Sequence, residues 1–224
     1  MAKLTFYFDF LSPYSYLAWT WLRDNQELVR QNCHLFLKPV TLAPVIKAND
    51  TKGPAEIPSK RDYLMKDCLR FSSLHNIPFQ APKTLPFNSL YALRVSLFEC
   101  CGTEQVKVID ALYRAAWEHG RDLGNSETVE DVLNSIGLPG AKWIERVGDK
   151  DLRKALKENT KEAIERGVFG LPTFLVDNGE QAELFWGNDS ISSLKLYLAG
   201  NDPLERPEIK EKYQQFQNSY LELD

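Results

Sequence analysis

Residues 3–18, with the sequence KLTFYFDFLSPYSYLA, decide the fold of this 224-residue chain. The aromatic run over residues 3–9 predicts a buried strand. Ser12 and Pro13 are typical of the N-cap and the first position of a helix, and apolar residues follow them at helical spacing. A second strand over residues 33–39 completes a strand–helix–strand unit, which favours a right-handed parallel crossover.

The sequence between the second and third predicted strands predicts a long loop followed by helices. The stretch from Pro44 to Pro58 is rich in Pro, Lys, Asn and Gly, and it predicts a loop of a length that often carries function. Glycines at 102, 120, 137 and 167 are placed as helix stops. The predicted helices cover residues 60–75, 87–101, 104–119, 128–136 and 149–166.

The last third of the chain changes to strands. Residues 173–176 are strand-like, Asn178-Gly179 is a two-residue turn signal, and residues 182–186 predict the return strand. A short helix is expected over residues 191–198. The order βαβ, helices, ββα predicts an α/β thioredoxin-like fold with an all-helical insertion domain.

This order also predicts the domain organisation. We expect the thioredoxin-like domain to comprise residues 1–44 and 168–200, with the loop and helical insertion domain over residues 45–167. The polar tail over residues 201–224 is expected to form a peripheral helix or to stay loose.

Ser12 lies where a strand delivers the chain to a helix N-terminus, whose unpaired N–H groups and dipole favour an anion. In thioredoxin-like redox proteins a cysteine at this position has a lowered pKa for the same reason. Ser12 and Ser15 stand where a Cys-x-x-Cys pair would fall, so dithiol chemistry is impossible there. Two interpretations stay open: Ser12 caps the helix, or its hydroxyl holds the thiolate of another molecule.

Pro172 stands just before a predicted strand, after Leu171. It is either a trans proline that begins the strand or, as the fold predicts, a cis proline facing the helix N-terminus. In the second case Leu171 offers its backbone to a peptide-like thiol. Near the start of the last helix, two interpretations stay open: Asp189 or Ser190 caps the helix, or Asn188 and Asp189 hold the charged ends of a γ-glutamyl group.

Asn49 lies in the predicted loop, and Lys60 follows that loop. Each is either solvated surface or a contact for the opposite end of a tripeptide.

Composition excludes several classes of function. The net charge of −4 gives no reason to expect a nucleic-acid or anionic-membrane partner. Neither a signal peptide nor a membrane span is evident, so a cytoplasmic protein is expected. The four cysteines form no Cys-x-x-Cys pair and read as free buried thiols, and the three histidines lack metal-ligand spacing.

Several motifs together resemble the 2-hydroxychromene-2-carboxylate isomerases and the kappa class of glutathione transferases, which belong to the DsbA-like group of the thioredoxin superfamily. The likeness covers roughly residues 3–198. The motifs that carry it are Phe8–Ala18, Pro58–Leu64, Leu85–Arg94, Arg114–Trp117, Gly167–Phe174 and Phe185–Asp189.

This resemblance implies a homodimeric enzyme with glutathione as cofactor. Glutathione would place its sulfur near Ser12, its cysteinyl backbone on Leu171 and its γ-glutamyl end at Asn188 and Asp189. The implied site residues are Ser12 as the catalytic residue and Asn49, Lys60, Leu171, Pro172, Asn188 and Asp189 as glutathione-binding residues. Ser190 departs from the family, which often has arginine there, and this leaves the substrate open.

The leading interpretation is a glutathione-dependent isomerase that acts on a small aromatic carboxylate by thiolate addition, bond rotation and elimination, in aromatic-compound catabolism. A kappa-like transferase that conjugates glutathione to electrophiles is the second. A non-catalytic glutathione- or peptide-binding module is the third, whereas a dithiol–disulfide oxidoreductase is disfavoured by the two serines. Aromatic residues of the insertion, such as Phe87, Tyr91 and Trp117, either wall an apolar pocket or belong to the core.

Overall fold

The computed structural model describes residues 1–220, and within them four strands form one mixed sheet. The strands are β1 (Ala2–Phe8), β2 (Cys33–Pro39), β3 (Thr173–Asp177) and β4 (Ala182–Trp186). The strand order is β2-β1-β3-β4, with β1 parallel to β2 and antiparallel to β3, and β3 antiparallel to β4. The predicted α/β thioredoxin-like arrangement is confirmed.

The central strand β1 is apolar because both of its faces are covered. On one face Phe6 stacks on Phe174 with ring centroids 4.7 Å apart, and Trp19 packs beside them. Trp19 belongs to α1 (Pro13–Asp24), which is followed by α2 (Gln26–Asn32) and then β2. On the other face Tyr7 lies in a buried cluster that includes Leu171.

The region between β2 and β3 is helical, as predicted. Its elements are α3 (Leu42–Ala48), a 3-10 turn (Pro54–Glu56), α4 (Pro58–Leu74), α5 (Leu90–Val95), α6 (Phe98–Cys101), a 3-10 turn (Gly102–Glu104), α7 (Gln105–Trp117), α8 (Ser126–Ser135), α9 (Gly140–Arg146) and α10 (Lys150–Glu165). Three details of the prediction are wrong. The expected loop overlaps α3, one expected helix is split into α5 and α6, and α9 was not predicted.

The four cysteines are free and buried, as expected: Cys33, Cys68, Cys100 and Cys101. Burial raises the pKa of the Cys68 thiol to about 12, that of Cys100 to about 11 and that of Cys101 to about 12. These thiols are protonated at neutral pH and behave as small core residues.

Met1–Asn188 forms one compact unit, and a second unit begins at Asp189. The second unit contains α11 (Ile191–Leu198), a 3-10 turn (Pro203–Glu205) and α12 (Pro207–Tyr220), so the tail is helical as far as it is described. The last four residues of the predicted tail, 221–224, lie outside the described residues. The domain boundaries given above stay a prediction. Among residues 1–220, no helix combines the length and the apolar character needed to cross a bilayer.

Candidate functional site

Three loops meet at one edge of the sheet because of the strand register. Tyr7 on β1 pairs with Thr173 on β3, and Thr173 pairs with Trp186 on β4. The end of β1, the start of β3 and the end of β4 therefore lie side by side, and the Gly187 N–H donates to the Pro172 carbonyl over 2.9 Å. The loops that follow β1, precede β3 and follow β4 are thus brought together.

Ser12 is the N-cap of α1, with Pro13 at the first helical position, as the sequence predicts. Its Oγ accepts a hydrogen bond from the Ser15 N–H over 3.2 Å and donates to the Leu171 carbonyl over 3.5 Å. The second distance is at the outer limit for a hydrogen bond, so the hydroxyl hydrogen is only weakly committed within the chain. Ser12 is therefore a cap whose donor is available to a ligand at the helix N-terminus.

The loop before β3 approaches Ser12 closely. The Leu171–Pro172 peptide bond is cis, as expected from the fold. A Cβ on Gly170 would come within 2.5 Å of Nε1 of Trp186, so a larger residue here would force the Trp186 ring to move. The structure therefore brings together three of the predicted site residues, Ser12, Leu171 and Pro172.

Asn49 reaches the same loop from the other side. It is the C-cap of α3, and its Nδ2 donates to the Val45 carbonyl over 2.9 Å and to the Val168 carbonyl over 3.4 Å. The side-chain amide thus ties α3 to the segment that leads into Leu171. Its carbonyl oxygen Oδ1 is left as the acceptor for a ligand.

Asn188 follows β4 and the Gly187 contact with Pro172. Its side chain is only 8% exposed, and its Oδ1 is buried without a hydrogen-bond partner among the described residues. An unpaired buried acceptor costs about 1–3 kcal/mol, so the fold holds this oxygen at a free-energy cost. A ligand that donates a hydrogen bond to it would recover that cost.

Lys60 is exposed in the first turn of α4, and no side-chain contact joins it to Ser12 within residues 1–220. Its link to the site runs through its own helix. Further along α4, Asp67 accepts a hydrogen bond from the hydroxyl of Tyr14 over 2.8 Å, and Tyr14 lies two residues after Ser12. Burial, followed by this bond to Asp67, raises the pKa of Tyr14, so its phenol stays protonated.

Asp189 is the first residue of the second unit, and Ser190 is the N-cap of α11. The assignment of Asp189 to glutathione therefore stays a prediction from the sequence.

Asp9, a fully buried acidic residue beneath the motif, is a site residue that the sequence pattern did not predict. Its Oδ1 accepts from the Leu11 N–H and its Oδ2 from the Leu42 N–H, each over 3.0 Å. Its backbone carbonyl accepts from the Ser12 N–H over 3.1 Å. Asp9 thereby fixes both the turn that presents Ser12 and the start of α3.

Burial is the largest influence on Asp9 and raises the pKa of its carboxyl, although the two backbone donors act in the opposite direction. The signal in the sequence was a single acid directly after an uninterrupted apolar strand. Such a residue is either exposed or, as here, a buried acceptor for backbone N–H groups.

Two aromatic residues of the insertion belong to the core. Trp117 is fully buried, stacks on Phe79 and donates from Nε1 to the Phe10 carbonyl over 2.8 Å. Phe87 is also buried, whereas Tyr91 is partly exposed. Trp117 therefore stabilises the turn before Ser12 through its hydrogen bond to Phe10, and its indole does not line an open pocket.

Comparisons with known proteins agree with the fold of this mixed sheet and its helices. Residues 3–199 match the family model described as the DSBA-like thioredoxin domain. The chain belongs to the DSBA-like thioredoxin family. The resemblance found in the sequence motifs is confirmed.

Within this family the chain is similar to enzymes of two kinds. It is 30% identical over 207 residues to a 2-hydroxychromene-2-carboxylate isomerase of Sphingobium xenophagum, across 87% of this chain and 97% of that protein. It is 26% identical over 209 residues to glutathione S-transferase kappa 1 of Rattus norvegicus, across 88% of this chain and 90% of that protein. A solved structure of a 2-hydroxychromene-2-carboxylate isomerase superposes with a TM-score of 0.77 at 27% identity, covering 88% of this chain and 94% of that one.

Proposed function

We propose that this protein is a glutathione-dependent isomerase of the 2-hydroxychromene-2-carboxylate type. The observation that carries the proposal is the position of Ser12. Its hydroxyl caps α1 beside the Leu171 carbonyl and Pro172, at the place where a dithiol enzyme would hold its own sulfur. A hydroxyl donor at a helix N-terminus suits a thiolate brought by another molecule.

The surrounding polar atoms fit a tripeptide of this kind. The buried Oδ1 of Asn188 lacks a donor among the described residues, and the ammonium of a γ-glutamyl group supplies one. At the other side of the loop, Asn49 offers an amide oxygen to a peptide N–H of the tripeptide, and Lys60 offers an exposed ammonium to the carboxylate of the glycine end. Asp189, the residue after Asn188, is assigned to the γ-glutamyl end by the sequence resemblance.

When bound, glutathione supplies a thiolate that adds to the substrate, permits bond rotation and leaves again. In this proposal the Ser12 hydroxyl donates a hydrogen bond to the sulfur, and the dipole at the N-terminus of α1 further stabilises the thiolate. The stabilisation has to stay moderate because the nucleophilicity of a thiolate falls with the pKa of its thiol. Asp9 is a positioning residue that holds the Ser12 turn in place.

A kappa-like transferase is the second candidate, and the 26% identity to the rat enzyme favours it. Both activities use the same bound thiolate. They differ in the fate of glutathione, because an isomerase regenerates it whereas a transferase leaves it in a stable conjugate.

The test is a titration followed by a turnover assay. Calorimetry with glutathione should show binding, and 2-hydroxychromene-2-carboxylate should then isomerise with the total free thiol unchanged. S-methylglutathione, which binds through the same peptide groups but has no thiol, should support no turnover. Absence of glutathione binding refutes the proposal, loss of free thiol in step with product favours the transferase, and binding without turnover favours the non-catalytic module.

A further inference from the structure

One face of α4 carries three functional side chains at helical spacing. Lys60, Tyr63 and Asp67 stand at positions i, i+3 and i+7, so they lie along a single stripe of the helix. The stripe extends about 10 Å along the axis, from the first turn of the helix to Asp67.

Asp67 attaches this stripe to the first turn of α1. Its Oδ2 accepts from the Tyr14 hydroxyl over 2.8 Å, and its Oδ1 lies 3.5 Å from the Tyr63 hydroxyl. One carboxylate thus binds the phenol of Tyr14, only two residues beyond Ser12, and makes a weaker contact with the phenol of Tyr63 at the outer limit of hydrogen-bond distance. The stripe on α4 is therefore joined through Tyr14 to the first turn of α1, the turn that Ser12 caps.

The ring of Tyr63 is exposed to solvent. The residue is 59% exposed although its hydroxyl end is directed to Asp67. An exposed aromatic ring beside a reactive centre offers a flat surface on which another ring can stack. Lys60, one turn away on the same stripe, supplies a positive charge with three N–H donors, enough for two carboxylates.

We propose that Tyr63 is a specificity residue that binds the planar aromatic ring of the substrate to which the glutathione thiolate adds, with the carboxylate of that substrate directed to Lys60. This inference rests on the proposed function. Asp67 is the positioning residue that holds Tyr14 and Tyr63 in register. The occupant of this face is thus an aromatic carboxylate, and the aromatic ring accounts for most of its selectivity.

The test uses two small probes that do not react with thiols. We expect 1-naphthoate to bind the full-length protein more tightly than cyclohexanecarboxylate, which has the same charge but no planar ring. Tyr63→Ala should weaken 1-naphthoate binding about three- to tenfold, the size of one aromatic contact, and should leave cyclohexanecarboxylate binding unchanged. Tyr63→Phe keeps the ring and should bind 1-naphthoate like the wild type.

The matched control is Tyr213→Ala, which removes a tyrosine of similar exposure (53%) from α12. It should leave the binding of both probes unchanged. If wild-type protein does not prefer 1-naphthoate, or if Tyr63→Ala binds it as tightly as Tyr213→Ala does, the inference is wrong. A glutathione titration of the same variants separates the two proposals, because Tyr63→Ala should retain normal glutathione affinity whichever way the probe experiment turns out.

The role of Asp67 is tested by a double-mutant cycle. Asp67→Asn should weaken 1-naphthoate binding in the wild-type background, and this effect should vanish in the Tyr63→Ala background because the two residues act through one contact. Equal effects in both backgrounds would show a purely structural role for Asp67 and would overturn its assignment.

Discussion

Replacing Ser12 by alanine separates its two roles. The variant loses the N-cap bond to the Ser15 N–H, and the lost cap lowers the free energy of unfolding by about 1 kcal/mol. It also loses the proposed hydrogen bond to the sulfur of glutathione. A hydrogen bond to a charged group contributes about 1.5–3 kcal/mol, and one pKa unit corresponds to about 1.4 kcal/mol. The pKa of the bound thiol should therefore rise by about 1–2 units.

The hydroxyl can make this bond at small cost. Its present hydrogen bond to the Leu171 carbonyl spans 3.5 Å and is weak. Little stabilisation is therefore lost when the hydroxyl hydrogen turns towards a thiolate. The assay is the ultraviolet absorbance of the thiolate, titrated against pH with glutathione bound, and urea unfolding reports the cap separately. Peptide contacts through Leu171 and Asn188 are untouched, so glutathione should still bind at pH values where its thiol is protonated.

Ser15→Ala is the matched control, because it removes the second serine of the same motif. Ser15 is fully buried, and its Oγ lies near the Tyr113 hydroxyl without good hydrogen-bond geometry. The pKa of the bound thiol should be the same in this variant as in the wild type. If Ser12→Ala also leaves that pKa unchanged, Ser12 is only a helix cap and the proposed mechanism is wrong.

Three further substitutions probe the surroundings of Ser12. Gly170→Ala should lower the free energy of unfolding by about 1–3 kcal/mol, because the new Cβ would lie 2.5 Å from the Trp186 ring nitrogen. An unchanged midpoint of urea unfolding would contradict this packing. Asn188→Ala should leave the free energy of unfolding unchanged or higher, since it removes a buried acceptor without a partner among the described residues. Its glutathione affinity, measured by calorimetry, should fall about tenfold. An affinity equal to that of the wild type would exclude Asn188 from the site. Asp9→Asn should cost about 1–3 kcal/mol at neutral pH, because an amide cannot accept from both backbone N–H groups. Burial raises the carboxyl pKa of Asp9 in the folded state, so its contribution to stability is largest at low pH and is lost as the pH rises from the ordinary carboxyl pKa through the folded pKa. The free energy of unfolding of Asp9→Asn should therefore lack this decline with pH. An unaltered decline would show that Asp9 is not its source.

Local signals in the sequence were sufficient for most of the sheet and for the helix start at Ser12. The predicted bounds of β2, β4 and α11 agree with the structure. Pro44 predicts a loop, but it lies within α3. It is the third residue of that helix, in the first turn, where N–H groups have no intrahelical acceptor and proline is tolerated.

The helix α9 was missed for a similar reason. It begins at Gly140 directly after Pro139, in a stretch of glycine and proline that reads as a break. Its helical form comes from packing on α8, which short-range patterns do not report.

The site was predictable only where the chemistry is local. Ser12, Leu171 and Pro172 follow from the motif and the fold, and the structure brings them together. The hydrogen bond between Tyr14 and Asp67 joins residues 53 positions apart, and no periodicity in the sequence connects them. Side-chain networks of this kind depend on tertiary packing.

The burial of all four cysteines has a consequence for how the protein would withstand oxidants. Peroxides attack thiolates, and the thiols at 68, 100 and 101, with pKa values of about 11–12, supply almost none at neutral pH. If the proposed function holds, the reactive sulfur is exchangeable, and damage to it is repaired by replacing a small molecule. Activity would then follow the supply of reduced glutathione in the cell, and the protein chain would survive episodes of oxidation that destroy enzymes relying on a cysteine of their own.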